Sequence, residues 1–134
     1  MNIAFLPVVN AVDIPTIRRR VPEDARGTVV ESMVAAMRTL PLDPARREPL
    51  QRDLRGLFKC RLASGLLPGT EDMRLAVFLD EETDTAVIWG VGFRDAHLPT
   101  DFYLRLRQRA VLERTLGTRG SALIGKAPGR RRNP

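Results

Sequence analysis

The sequence is poor in several residue types, and each shortage excludes something. It has a single cysteine, Cys60, so no intramolecular disulfide can form and no Cys-rich metal site can be assembled. It has a single histidine, His97, which leaves one side chain that titrates near neutrality unaided. No window approaches the roughly 18 consecutive apolar residues that a membrane span requires. The opening "MNIAFLPVVNAVDIP" lacks a positively charged start, and Pro7, Asp13 and Pro15 punctuate its apolar run. No signal peptide is expected. Together these point to a cytoplasmic chain with no membrane partner, no metal and no cofactor.

Acid is scarce in one place. Residues 105–134 hold nine Arg and Lys against one acid, Glu113, a net +8, whereas residues 1–104 hold 13 against 15, a net −2. A basic end on a near-neutral body fits a polyanionic partner such as RNA, DNA or an acidic protein segment; the alternative is a solvated tail in an arginine-rich chain.

What is present suits one domain. The 134 residues are 43% hydrophobic and 28% charged, ordinary values for a globular chain able to bury its own core. "NIAFLPVV" reads as a short opening strand closed by Pro7. Asp13 as a cap and Pro15 in the first turn predict a short helix near residues 14–20. A longer helix is expected from about Pro22 to Leu40, where Val29, Val30, Met33, Val34, Met37 and Leu40 recur at helical spacing.

Pro41, Pro44 and Pro49 make residues 41–53 a connector. Three β runs follow, "GLFKCRL", "MRLAVFL" and "TAVIWGVGF". The last two are joined by the short polar "DEETD", a hairpin signal. Asp101 can cap a C-terminal helix in which Phe102, Leu106, Arg109, Val111 and Leu112 share or neighbour a face. The glycine-rich residues 117–134 are expected to form a basic, largely unstructured tail. The fold class is therefore α+β: two N-terminal helices packed on one face of a small, mostly antiparallel twisted sheet, with a short C-terminal helix, in a domain of residues 1–116.

The pleat places Lys59 and Arg61 on one face of the first β run and Phe58, Cys60 and Leu62 on the other. Arg74 opens the second run and Arg94 closes the third, so four cations converge on one sheet. On the third run Ala86, Ile88, Gly90 and Gly92 share the parity of Arg94, and Val87, Trp89, Val91 and Phe93 hold the other. Two glycines on the cationic face suggest a surface kept low for something to approach. Solubilising charge on an exposed face is the plain alternative. Convergence from three strands favours a phosphate-rich ligand, because guanidinium groups grip phosphate oxygens bidentately.

"LRGLFKCRL", "MRLAVFL", "VIWGVGFRD" and "FYLRLRQR", in that order, resemble the RelE/ParE superfamily, the toxin halves of bacterial toxin–antitoxin pairs. The resemblance spans roughly residues 1–114 and is most specific over 54–109. It implies a toxin that inhibits translation by ribosome-dependent mRNA cleavage, a metal-independent endoribonuclease and hydrolase. By motif position its catalytic residues would be Lys59, Arg61, Arg74, Arg94 and Tyr103. Tyr103, Lys59 and His97 are the candidates for proton transfer. The chain departs from the family pattern in a longer Arg94–Tyr103 loop, in Phe93 before the terminal arginine, in the long linker "ASGLLPGTED" and in the added tail.

The resemblance also implies partners: a cognate antitoxin, the ribosome and mRNA, with no small-molecule ligand expected. Two other readings remain open. One is a ParE-like toxin that poisons DNA gyrase. The other is a non-catalytic ribosome- or RNA-binding relative.

Overall fold

The computed structural model describes residues 1–96, 98–99 and 101–116, with side chains to 112. His97 and the expected tail, residues 117–134, lie outside the described residues. The chain begins with β1 (Asn2–Phe5), passes through a π-helical turn (Val9–Asp13) into α1 (Ile14–Arg20), and continues into α2 (Arg26–Thr39). The proline-rich connector breaks into short 3-10 turns around β2 (Glu48–Pro49). Then come β3 (Phe58–Leu62), β4 (Met73–Asp80), β5 (Thr85–Phe93) and α3 (Phe102–Leu116). The architecture is α+β, as the sequence predicts.

The five strands form one sheet in the order β1-β5-β4-β3-β2. β5 pairs antiparallel with β4 and parallel with β1. All nine of its residues are buried, which is why its apolar run is nearly continuous. β2, two residues long, lies within the expected connector and pairs with β3 through Glu48 and Pro49. Proline is tolerated there because β2 is the sheet edge. The long β3–β4 linker is closed by Asp72, which accepts from the backbone N–H of Ser64 at 2.8 Å and from its hydroxyl at 2.7 Å.

Strand parity on β5 changes within the strand. Ala76 pairs with Gly90 but the next residue, Val77, pairs with Ile88, so Trp89 is an extra residue in a β-bulge. A bulge flips side-chain parity from that point on. Ala86 and Ile88 therefore lie on the face of Val91 and Phe93, not on that of Gly90 and Gly92. The single alternation expected over residues 86–94 is corrected by this one residue.

The helices divide between the two faces. Val29, Met33 and Met37 of α2, spaced four residues apart, enter the same core as Ile17 of α1, Cys60, Leu75 and Ile88. Arg20 at the end of α1 stacks over the Phe93 ring at 4.8 Å. α3 covers the other face, where a Cβ placed on Gly92 would touch Phe102 at 3.8 Å. The two N-terminal helices thus take one face, as expected, and the C-terminal helix takes the other. α3 turns inward through Phe102, Leu106 and Ala110, while Val111 and Leu112, expected near that face, are half exposed. Among the described residues no helix is long and apolar enough to cross a membrane.

Candidate functional site

On β3 the alternation is as the pleat demands: Cys60 and Leu62 are buried, Arg61 is exposed and Lys59 half-buried. The register aligns Glu48, Lys59 and Ala76 in one row and Arg61, Arg74 and Gly92 in the next. Residues directly opposite one another share a face. Lys59, Arg61 and Arg74 therefore stand together, and Arg94 follows just beyond β5, its N–H donating to the Asp72 carbonyl at 3.0 Å.

Arg61 and Arg74 are like charges placed directly opposite, an arrangement that costs stability unless each finds its own acceptor. Arg61 turns to the Glu48 carboxylate, with Nε–Oε2 at 3.1 Å and Nη2–Oε1 at 3.2 Å. Arg74 turns back along its own chain, donating from Nη1 to the carbonyls of Glu71 at 2.7 Å and Met73 at 2.9 Å. Only 7% of Arg74 is exposed, and its Nε is buried without a partner. Arg94 is exposed and, among the described residues, no side chain pairs with it.

Tyr103 reaches the strand despite the long loop. Asp101 caps α3, its Oδ2 accepting from the N–H groups of Tyr103 at 3.1 Å and Leu104 at 3.2 Å. Its Oδ1 accepts from the Asp95 N–H at 2.7 Å, tying the loop shut. The helix start is thereby fixed, and the Tyr103 hydroxyl lies 3.3 Å from Lys59 Nζ. That ammonium also sits 5.7 Å from the Tyr103 ring centroid.

Sequence reasoning missed Glu48. Its carboxylate lies between the two β3 cations, 3.7 Å from Lys59 Nζ and paired with Arg61. No local signal marks a two-residue edge strand inside a proline-rich connector, so nothing placed Glu48 on the sheet. Arg46 was missed for the same reason; its guanidinium donates to the Arg61 carbonyl at 2.9 Å. The group so formed offers fixed positive charge, one carboxylate and one phenol within hydrogen-bond reach of an ammonium. It can bind a phosphodiester and move protons beside it. Among the described residues no group of three His, Cys, Asp or Glu side chains could hold a metal ion.

The two glycines have a different explanation from the one their parity suggested. A Cβ on Gly90 would lie 2.8 Å from Nη1 of Arg109. The surface is low because α3 lies on it. Asp13, expected as a helix cap, makes no capping hydrogen bond and instead meets Arg105 and Arg109 beneath α3.

No protein-family model matches the chain, and no curated protein matches it. Among solved structures it is similar to the crystal structure of the toxin–antitoxin complex RelBE2 from Mycobacterium tuberculosis. The two are 26% identical over 69% of this chain and 96% of that one, with a TM-score of 0.45.

Proposed function

We propose that this chain is the toxin of a RelE-type toxin–antitoxin pair and inhibits translation by cutting mRNA on the ribosome, with residues 1–116 as the toxin domain. The observation that carries the reading is the contact of Tyr103 with Lys59 on a sheet face that also holds Glu48, Arg61 and Arg74. Strand alternation selects the cations, and motif resemblance adds the tyrosine. Their closeness across 44 residues of sequence supports the assignment independently.

In the proposed reaction the ribose 2′-oxygen attacks the adjacent phosphorus and the bond to the 5′-oxygen breaks, leaving a 2′,3′-cyclic phosphate. The Glu48 carboxylate takes the proton from the 2′-hydroxyl, and Tyr103 gives one to the departing 5′-oxygen. Lys59 and Arg61, and Arg94 from the strand end, stabilise charge on the phosphate oxygens. Lys59 also steadies the phenol oxygen as its proton leaves. Such proton transfers are typically worth about 10²- to 10⁴-fold each. The implied partners are the ribosome, mRNA and an antitoxin whose acidic side chains complement the cationic face.

The test is to add purified protein to ribosomes translating a defined mRNA and map the 5′ ends produced. Cleavage is expected with wild type, with a loss of about 10²-fold or more in Glu48→Gln, Lys59→Met and Tyr103→Phe. Intact mRNA with wild-type protein sinks the proposal. One observation favours a second reading: Arg61 and Arg74 already have acceptors within the protein, as suits a relative that binds RNA without cutting it. Salt-sensitive binding to ribosomes without cleavage would select that reading, and arrest of replication before translation would select the gyrase reading.

A further inference from the structure

β1 ends at Phe5, opposite Ile88, whereas β5 runs on to Phe93. One edge of β5 beyond Ile88 therefore has no strand beside it. The Asp13 carboxylate, its side chain 3% exposed, fills part of that gap by accepting from the Val91 N–H at 3.0 Å. The same carboxylate takes a two-pronged grip from Arg109, whose Nη1 lies 2.8 Å from Oδ2 and whose Nη2 bonds Oδ1. Arg105 adds a third donor at 3.3 Å. Arg109 Nη1 also donates to the carbonyl of Trp89, the bulged residue, at 2.9 Å. The guanidinium thus lies against β5, in space that only a glycine at position 90 leaves open.

An apolar contact through Phe102, Leu106 and Ala110 holds α3 to the sheet, but apolar packing is non-directional. A planar fork on a carboxylate fixes both the rotation and the axial position of the helix that carries it. Arg109 lies six residues beyond Tyr103, so about 9 Å of rigid helix links the two. We propose that Asp13 and Arg109 are positioning residues, which hold α3 in the rotation and register that set the Tyr103 hydroxyl against Lys59. The inference rests on the reading of Tyr103 and Lys59 as a cleavage site for its catalytic consequence, but not for its structural one.

Tyr103 is the only tyrosine in the chain, so protein grown with 3-fluorotyrosine reports its surroundings through one ¹⁹F resonance. Arg109→Lys keeps the charge and loses the fork; Asp13→Asn keeps the shape and loses the charge. Both are expected to move the resonance toward its position in Lys59→Met and to lower kcat about 10²-fold with KM within about twofold. Leu106→Val, which trims the apolar face of the same helix and replaces neither member of the pair, is the control. It should lower Tm and leave the resonance in place.

A resonance unmoved in both folded variants overturns the proposal. So does a shift of equal size in Leu106→Val, and so does failure of both Arg109→Lys and Asp13→Asn to fold, which would make the pair a condition of folding instead. If wild type cuts no mRNA, the function falls while the resonance still decides the positioning.

Discussion

Cys60 sits in the middle of β3 with its thiol buried, and burial pushes its pKa up from 9.0 to about 11 against the opposing pull of Arg46 and Arg47. The thiolate is the nucleophile, so native protein at pH 8 should resist iodoacetamide that labels the urea-unfolded chain fully; rapid native labelling would contradict this. The unfolded thiol ionises above pH 9 while the folded one stays protonated. Stability should therefore fall between pH 9 and 11, by up to roughly 3 kcal/mol from this group. Urea titrations at pH 8 and 10.5, with Cys60→Ala as reference, measure the difference. Gly90 makes a second prediction at this scale: Gly90→Ala puts a methyl 2.8 Å from a guanidinium pinned by Asp13. It should cost about 1–3 kcal/mol by denaturant unfolding. An unchanged midpoint would mean that Arg109 moves freely. Strand alternation put Lys59 and Arg61 on one face, and Tyr103 was named only through the family resemblance; the contacts of Glu48 and Asp13 left no signal, because their partners are distant in sequence.

α3 shows how a short signal can be read correctly and its consequence still be missed. Asp101 before an apolar-periodic segment is a cap signature, and it caps. Removing it in Asp101→Ala should cost about 1–2 kcal/mol, since the Asp95 N–H also loses its acceptor. A urea midpoint within error of wild type would show that the apolar contact and the Arg109 pair hold the helix without the cap. The ends of α1, β4 and β5 likewise follow from proline, turn residues and apolar runs. β2, the bulge at Trp89 and the parallel seat of β1 do not, since each is defined by hydrogen bonds to another strand. The single face assigned to β5 failed at Trp89 because alternation is a property of regular pleat, and an inserted residue leaves no local mark.

Across the whole molecule, charge is spent in two ways. The excess of +8 in residues 105–134 reads as a polyanion footprint, yet Arg105 and Arg109 are consumed by Asp13 inside the fold. Arg107 and Arg114 of α3 and the five cations beyond Leu116, Arg119, Lys126 and Arg130 to Arg132, remain to answer for that footprint. Replacing these five by glutamine in the full chain should reduce the slope of log affinity against log salt for single-stranded RNA by roughly 3. Fluorescence anisotropy between about 50 and 300 mM salt reads it; an unchanged slope would assign the binding to the rest of the molecule.

By itself the sequence determined the class of fold, the order of its elements apart from β2 and the cationic character of one strand, because periodicity, caps and turn residues act over a few positions. Only the tertiary structure decided that Glu48 stands between Lys59 and Arg61, that Tyr103 spans its long loop to reach Lys59, and that α3 closes the face left low by Gly90 and Gly92. Those outcomes depend on which strands become neighbours, in which register, and on a buried Asp13 that no short-range pattern could assign to Arg109.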